Sequence, residues 1–113
     1  MPWSDVLSSD DVAPGGRVAV EVGSDRLVVW RTTEGVLVAC DARCPHQWSD
    51  LATEGVVDGD ELVCLSHFWR FDTEGRGSKL SMAGRRDPKN DAGPVAVRER
   101  DGRIEVLAGA LGD

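Results

Sequence analysis

Short apolar runs cut by glycine, proline and aspartate dominate the chain, and no stretch sustains the helical period of about 3.6 residues. Asp10-Asp11-Val12-Ala13-Pro14-Gly15-Gly16 reads as a loop, because its proline and paired glycines forbid a continuing helix. Arg17-Val18-Ala19-Val20-Glu21-Val22 is β-branched and partly alternating, Gly23-Ser24-Asp25 turns, and Leu27-Val28-Val29-Trp30 continues in the same style. That spacing predicts a hairpin. After a turn at Thr32-Thr33-Glu34-Gly35, Val36-Leu37-Val38-Ala39-Cys40 forms a third strand. Residues 51–57 lead to the Asp58-Gly59 turn, and Glu61-Leu62-Val63-Cys64 returns as a strand; 68–71 is a further strand ended by Asp72-Thr73-Glu74-Gly75. Residues 78–91 are polar, with Arg85, Arg86, Pro88 and Asn90, and are expected to be surface loop. The clearest hairpin signal is Asp101-Gly102 between Val95-Ala96-Val97-Arg98 and Arg103-Ile104-Glu105-Val106-Leu107.

Many short strands at close spacing, with no internal repeat or low-complexity tract, predict an all-β sandwich or small barrel. At 113 residues the chain fits one domain, 1–113, large enough for a core but too small for a second catalytic domain beside it. No apolar run approaches the roughly eighteen residues of a spanning helix. Met1-Pro2-Trp3-Ser4-Asp5 lacks the basic and apolar regions of a signal peptide, so a cytoplasmic location is expected. Thirteen Lys plus Arg against twenty Asp plus Glu give a net charge of -7. That balance repels nucleic acid and anionic membrane, keeps the chain soluble, and would steer it towards basic protein surfaces.

The chemistry is concentrated in two boxes, Cys44-Pro45-His46 and Cys64-Leu65-Ser66-His67, separated by seventeen residues (47–63). Each predicted strand end brings one soft thiolate and one imidazole, and both histidines of the chain lie at ligand spacing beside a cysteine. Two Cys and two His make a metal site, and neither box is the Cys-x-x-Cys pair of a zinc ribbon. Each loop could give its Cys to one iron and its His to another, the division found when two His replace two Cys on one iron of a [2Fe-2S] cluster. A structural Cys2His2 zinc module uses the same donors. Cys40 is left over, and a neutral thiol there is most simply a small core residue.

The two boxes, with Trp69-Arg70-Phe71-Asp72 just behind the second, resemble Rieske iron-sulfur proteins, both the Rieske-type [2Fe-2S] ferredoxins and the Rieske domains of aromatic-ring-hydroxylating oxygenase systems. The resemblance implies a β architecture with a cluster-binding subdomain, about 44–71, inserted in it. It implies one [2Fe-2S] cluster, with Cys44 and Cys64 on the inner iron and His46 and His67 on the outer iron near the surface. Thiolates stabilise ferric iron, so an added electron settles on the imidazole-bound iron.

Departures from the family pattern predict the potential. High-potential members carry a disulfide between the loops at positions that here are Ser49 and Ser66, and donate Ser and Tyr hydroxyls to the cluster where this chain has Trp69 and Phe71. Hydrogen bonds to the cluster favour its more negative reduced state, so their loss implies a potential near the low end of the Rieske range, about -150 mV rather than about +300 mV. Many members have Gly where this chain has Trp48 and Phe68, and Gly marks a backbone angle or close approach that a side chain obstructs. Trp48, Phe68 and Trp69 are expected to pack beneath the loops and shield the cluster; the alternative is an apolar docking patch beside the histidines.

The resemblance implies a soluble, low-potential electron carrier with no catalytic site of its own, taking single electrons from a reductase to a terminal oxygenase and monomeric if it is a free ferredoxin. The sequence holds no P-loop, no dinucleotide glycine motif and no spare His and carboxylate set for a mononuclear iron. The alternative is the N-terminal electron-entry domain of a ring-hydroxylating or demethylating oxygenase, which Leu27-Val28-Val29-Trp30-Arg31 and Trp48 also resemble. A cluster-free subunit of a nitrite reductase is disfavoured, because all four ligands are present.

Overall fold

A computed structural model describes residues 3–44, 50–66 and 68–107. The chain order is β1 (Ser4–Ser8), a 3-10 turn (Ser9–Asp11), β2 (Arg17–Val22), β3 (Asp25–Arg31), β4 (Leu37–Asp41), α1 (Leu51–Glu54), β5 (Gly55–Asp58) and β6 (Glu61–Cys64). Then follow β7 (Trp69–Phe71), β8 (Gly77–Leu80), β9 (Arg86–Lys89), β10 (Pro94–Val95), β11 (Val97–Arg100) and β12 (Arg103–Val106). They form three antiparallel sheets, in the orders β1-β12-β11, β10-β4-β3-β2 and β5-β6-β7-β8-β9. The fold is the all-β one that the strand pattern predicts. Among the described residues no helix is long and apolar enough to cross a membrane.

The β10-β4-β3-β2 sheet organises the interior. On β3 and β4 the register pairs Val28 with Cys40, Val29 with Ala39 and Trp30 with Val38. Side chains alternate across a strand, so successive pairs serve opposite faces. Val28, Trp30, Val38 and Cys40 join Ala42, Cys44, Leu51, Leu62, Cys64, Phe71 and Ala92 in one buried cluster. Leu27, Val29 and Ala39 join Val12, Val20, Val95, Ile104 and Val106 in another. The unbroken apolar run on β3 is thus explained: a strand buried on both faces has no polar alternation to show.

Arg31 ties this central sheet to its surroundings. It is only 9% exposed, and its guanidinium donates to the carbonyls of Val12 at 2.7 Å and Gly35 at 3.1 Å and to both carboxylate oxygens of Glu99 on β11 at 2.9 and 3.2 Å. A bidentate pair with carbonyls filling the remaining donors satisfies the buried cation. The five-stranded sheet has its own polar tie: Arg70 on β7 reaches Asp58 on β5 at 2.5 Å and Glu61 on β6 at 2.6 Å, and Arg86 on β9 reaches Glu61 at 2.7 Å.

One segment departs from expectation. Residues 78–91, expected to be loop, contain most of the β8-β9 hairpin, paired from Gly77 with Lys89 to Leu80 with Arg86. Strand β9 is the edge of its sheet and mostly exposed. Pro88, which lacks an N–H to donate, is tolerated at such an edge, so the polar composition marks an edge strand. The strand β1, paired with β12, carried no hairpin signal because its partner is nearly a hundred residues away.

Candidate cluster-binding site

The first box leaves β4 through Ala42 and Arg43, and the chain returns at Asp50, where an isolated bridge pairs Arg43 with Asp50 and the Leu51 amide donates to the Ala42 carbonyl at 2.6 Å. Ala42 and Arg43 are therefore held against Asp50 and Leu51. Asp50 is the N-cap of α1, accepting from the Ala52 amide at 3.0 Å, and takes two bonds from Arg26 at 2.8 and 3.2 Å. Burial works against its charge, but the guanidinium and the capping amide prevail and hold the carboxyl below its ordinary value of 3.8.

Helix α1 ends at Glu54, and Gly55 begins β5 directly opposite Cys64 at the end of β6. Glycine is required there: a Cβ would stand 2.3 Å from the Leu51 carbonyl oxygen and 3.2 Å from the Leu62 side chain. From Cys64 the second box turns over, with the Phe68 amide donating to the Cys64 carbonyl at 2.7 Å and the Leu65 amide to the Glu54 carbonyl at 2.9 Å. The Ser66 hydroxyl donates to the Glu54 carboxylate at 2.5 Å.

The two cysteines of the boxes come together: Cys44 is 1% and Cys64 2% exposed, and both belong to the buried cluster that includes Phe71. His46 and His67 lie outside the described residues, as do Pro45, Trp48 and Ser49. Two sulfurs brought from separate loops into one apolar, water-excluded cluster suit the inner iron of a [2Fe-2S] group, whose ferric charge offsets that of the thiolates. Cys40 lies on the adjacent strand in the same cluster, but burial, helped by the neighbouring Asp41 charge, pushes its thiol up to about 12. It remains protonated and serves as packing.

The aromatic residues divide. Phe71 is buried among the cysteines, and Trp69 is half-buried, packed against that cluster with the Lys89 ammonium 5.7 Å from its ring centroid. Phe68 does not pack beneath the loop: it is 59% exposed, with Leu65 at 48% beside it in the turn. Its backbone has φ 64, the left-handed region where glycine is at ease. The backbone at Phe68 is thus glycine-like, but its ring is exposed and does not take the expected shielding role.

Sequence reasoning did not single out Asp50, Glu54 or Gly55. Asp50 ahead of Leu51-Ala52-Thr53-Glu54 carries a readable N-cap signal. Glu54 has none, since its contacts are made with a loop eleven and twelve positions on.

A model of the Rieske [2Fe-2S] domain matches residues 2–87. Among curated proteins, the oxygenase component of 3-ketosteroid-9-alpha-monooxygenase from Mycobacterium tuberculosis is 34% identical over 96% of this chain and 26% of its own length. A cholesterol 7-desaturase from Xenopus laevis is 38% identical over 72% of this chain and 18% of its own. The chain thus spans only 16% to 26% of the length of curated relatives of this kind. Among solved structures, dicamba monooxygenase shares the fold at a TM-score of 0.84 and 24% identity, over 99% of this chain and 35% of that one. A chain from a complex of reduced oxygenase and oxidized ferredoxin in carbazole 1,9a-dioxygenase matches at 0.74 and 27%, over 92% of this chain and 91% of that one. A Rieske domain of this kind holds one Rieske-type [2Fe-2S] cluster. With the family match running across both boxes and the β sheets that carry them, the chain belongs to the Rieske [2Fe-2S] domain family.

Proposed function

We propose that this chain is a low-potential electron carrier of an oxygenase system, receiving single electrons from a reductase and passing them to a terminal oxygenase. The observation that carries this reading is the burial of Cys44 and Cys64 in one cluster at the mouths of two loops joined through Asp50, α1 and Gly55. Cys44 and Cys64 hold the inner iron and His46 and His67 the outer one, within a subdomain of about 44–71 in the single domain 1–113. When bound, the cluster supplies one-electron redox chemistry. The protein's part is to keep water from the sulfurs and to withhold hydroxyl donors: Trp69 and Phe71 stand where high-potential relatives donate, and Phe71 is buried in the same cluster as the cysteines. Leu65 and Phe68 supply exposed apolar surface on the second box for the reductase. The carrier works in the cytoplasm and, as a free ferredoxin, as a monomer.

A second reading is favoured by the relatives' lengths: the same domain serves as the electron-entry portion of a longer oxygenase. The match over 91% of a chain in the oxygenase and ferredoxin complex favours the free carrier. Whether the natural reading frame continues past Asp113 separates the two.

The ligand set is tested by EPR of the reduced protein and a redox titration. His46→Ala and His67→Ala are each expected to abolish the rhombic signal, and the wild type to titrate near the low end of the Rieske range. An unchanged signal removes that histidine from the set, and a colourless protein with one zinc and no acid-labile sulfide removes the cluster reading altogether.

A further inference from the structure

We infer that Glu54 is a positioning residue for the cluster-binding loops, a non-covalent brace between them whose fixed negative charge also lowers the potential. This rests on the ligand assignment proposed above. The Ser66 hydroxyl, inside the second box, donates to the Glu54 carboxylate.

Glu54 grips the second box twice. Its backbone carbonyl accepts from the Leu65 amide at 2.9 Å, and its carboxylate accepts from Ser66 at 2.5 Å. Both contacts fall between Cys64 and His67. The other end of the brace is anchored beside the first box: Asp50, the N-cap of α1, is held by its bridge to Arg43, next to Cys44, and by its bonds from Arg26. The Gly55 amide donates to the Leu51 carbonyl at the C-terminus of α1, and Gly55 faces Cys64 across the sheet. A single helical turn therefore transmits the position of one loop to the other. Its side-chain contact is a hydroxyl-to-carboxylate bond, of the charge-assisted kind that is stronger than a neutral one.

The charge has a second effect. Among the described residues no guanidinium or ammonium pairs with Glu54, and its carboxylate is held against the second box by Ser66. Placing an added electron near a fixed negative charge is unfavourable, and the carboxylate disfavours the reduced state.

Two variants of the holoprotein separate the effects. Glu54→Gln keeps the shape and an acceptor oxygen but removes the charge; its midpoint potential is expected to rise. Ser66→Ala keeps the charge but removes the donor; its visible absorption is expected to bleach several-fold faster than wild type under a ferrous-iron chelator. A Glu54→Gln potential equal to wild type overturns the electrostatic role, and a Ser66→Ala bleaching rate equal to wild type overturns the brace. Both are read against a wild type that shows the cluster spectrum. A wild type without that spectrum overturns the ligand assignment, and this inference falls with it.

Discussion

Phe68 holds a backbone conformation that costs a β-carbon-bearing residue roughly 1–2 kcal/mol, yet its ring lies mostly in solvent and recovers little of that by burial. Local folding does not account for the choice of residue. Under the proposed carrier role, contact with a reductase does, because an exposed aromatic ring gives apolar area for a partner to bury. Phe68→Gly should relieve the strain while adding unfolded-state freedom worth about 0.5–1 kcal/mol against it. The expected outcome is a protein as stable as wild type or slightly more so in urea, but reduced more slowly by its reductase in stopped-flow mixing. Wild-type reduction rates would count against the docking role. The glycine-like backbone at this position was legible because the family pattern places Gly there; the direction of the ring was not, since both burial and exposure are open to a phenylalanine in a turn.

At the scale of elements, the hairpins were legible wherever their turn chemistry is local. Asp101 and Gly102, at φ 52 and φ 77, form the two-residue turn that the Asp-Gly pair predicts, and Gly23 turns β2 into β3 at φ 61. What resisted reading was pairing set by distant partners: β1 on β12, and the polar edge strand β9. The joint between α1 and β5 is local, since the Leu51 carbonyl that excludes a side chain at Gly55 lies four residues back, but only the folded turn brings the two together. Gly55→Ala sets a methyl against backbone that cannot swing aside, so it should destabilise the fold by about 2 kcal/mol or more. The displaced strand end carries the partner of Cys64, so cluster retention on a desalting column should fall in parallel. Full occupancy with unchanged stability would show that the joint can shift without disturbing the cysteine.

For the molecule as a whole, the acidic surplus acts through particular carboxylates as well as through net charge. Glu99 is held below its ordinary value of 4.5 by the hydrogen bonds and charge of Arg31, assisted by Ser9. Asp50, despite burial, is held below 3.8 by Arg26 and the Ala52 amide, and Asp72, likewise despite burial, by the amides of Arg76 and Glu74. A carboxyl whose folded pKa is depressed contributes stability above its unfolded pKa and loses it as pH falls through the folded one. Unfolding free energy measured with urea should therefore be level down to about pH 5 and fall steadily below pH 4. Glu99→Gln should flatten part of that fall, and an acid limb identical to wild type would remove the Arg31 pair from the account. The all-β class was legible from short strands and turns, and the spacing of the two boxes singled out Cys44 and Cys64, which the fold buries in one cluster. The alternation that divides the interior was hidden, because every residue of Leu27-Val28-Val29-Trp30 is buried.

That alternation bears on cooperativity. Val28 and Val29 are neighbours on one strand, but the first packs with the cysteines and the second with Ile104 and Val106 on the far side. Neither half of the interior can loosen without disturbing the strand on which the other depends. Although the chain has two separate apolar clusters, it is built to melt as one unit, and a lesion far from the iron-binding loops will be felt there as a change in how often the whole fold opens.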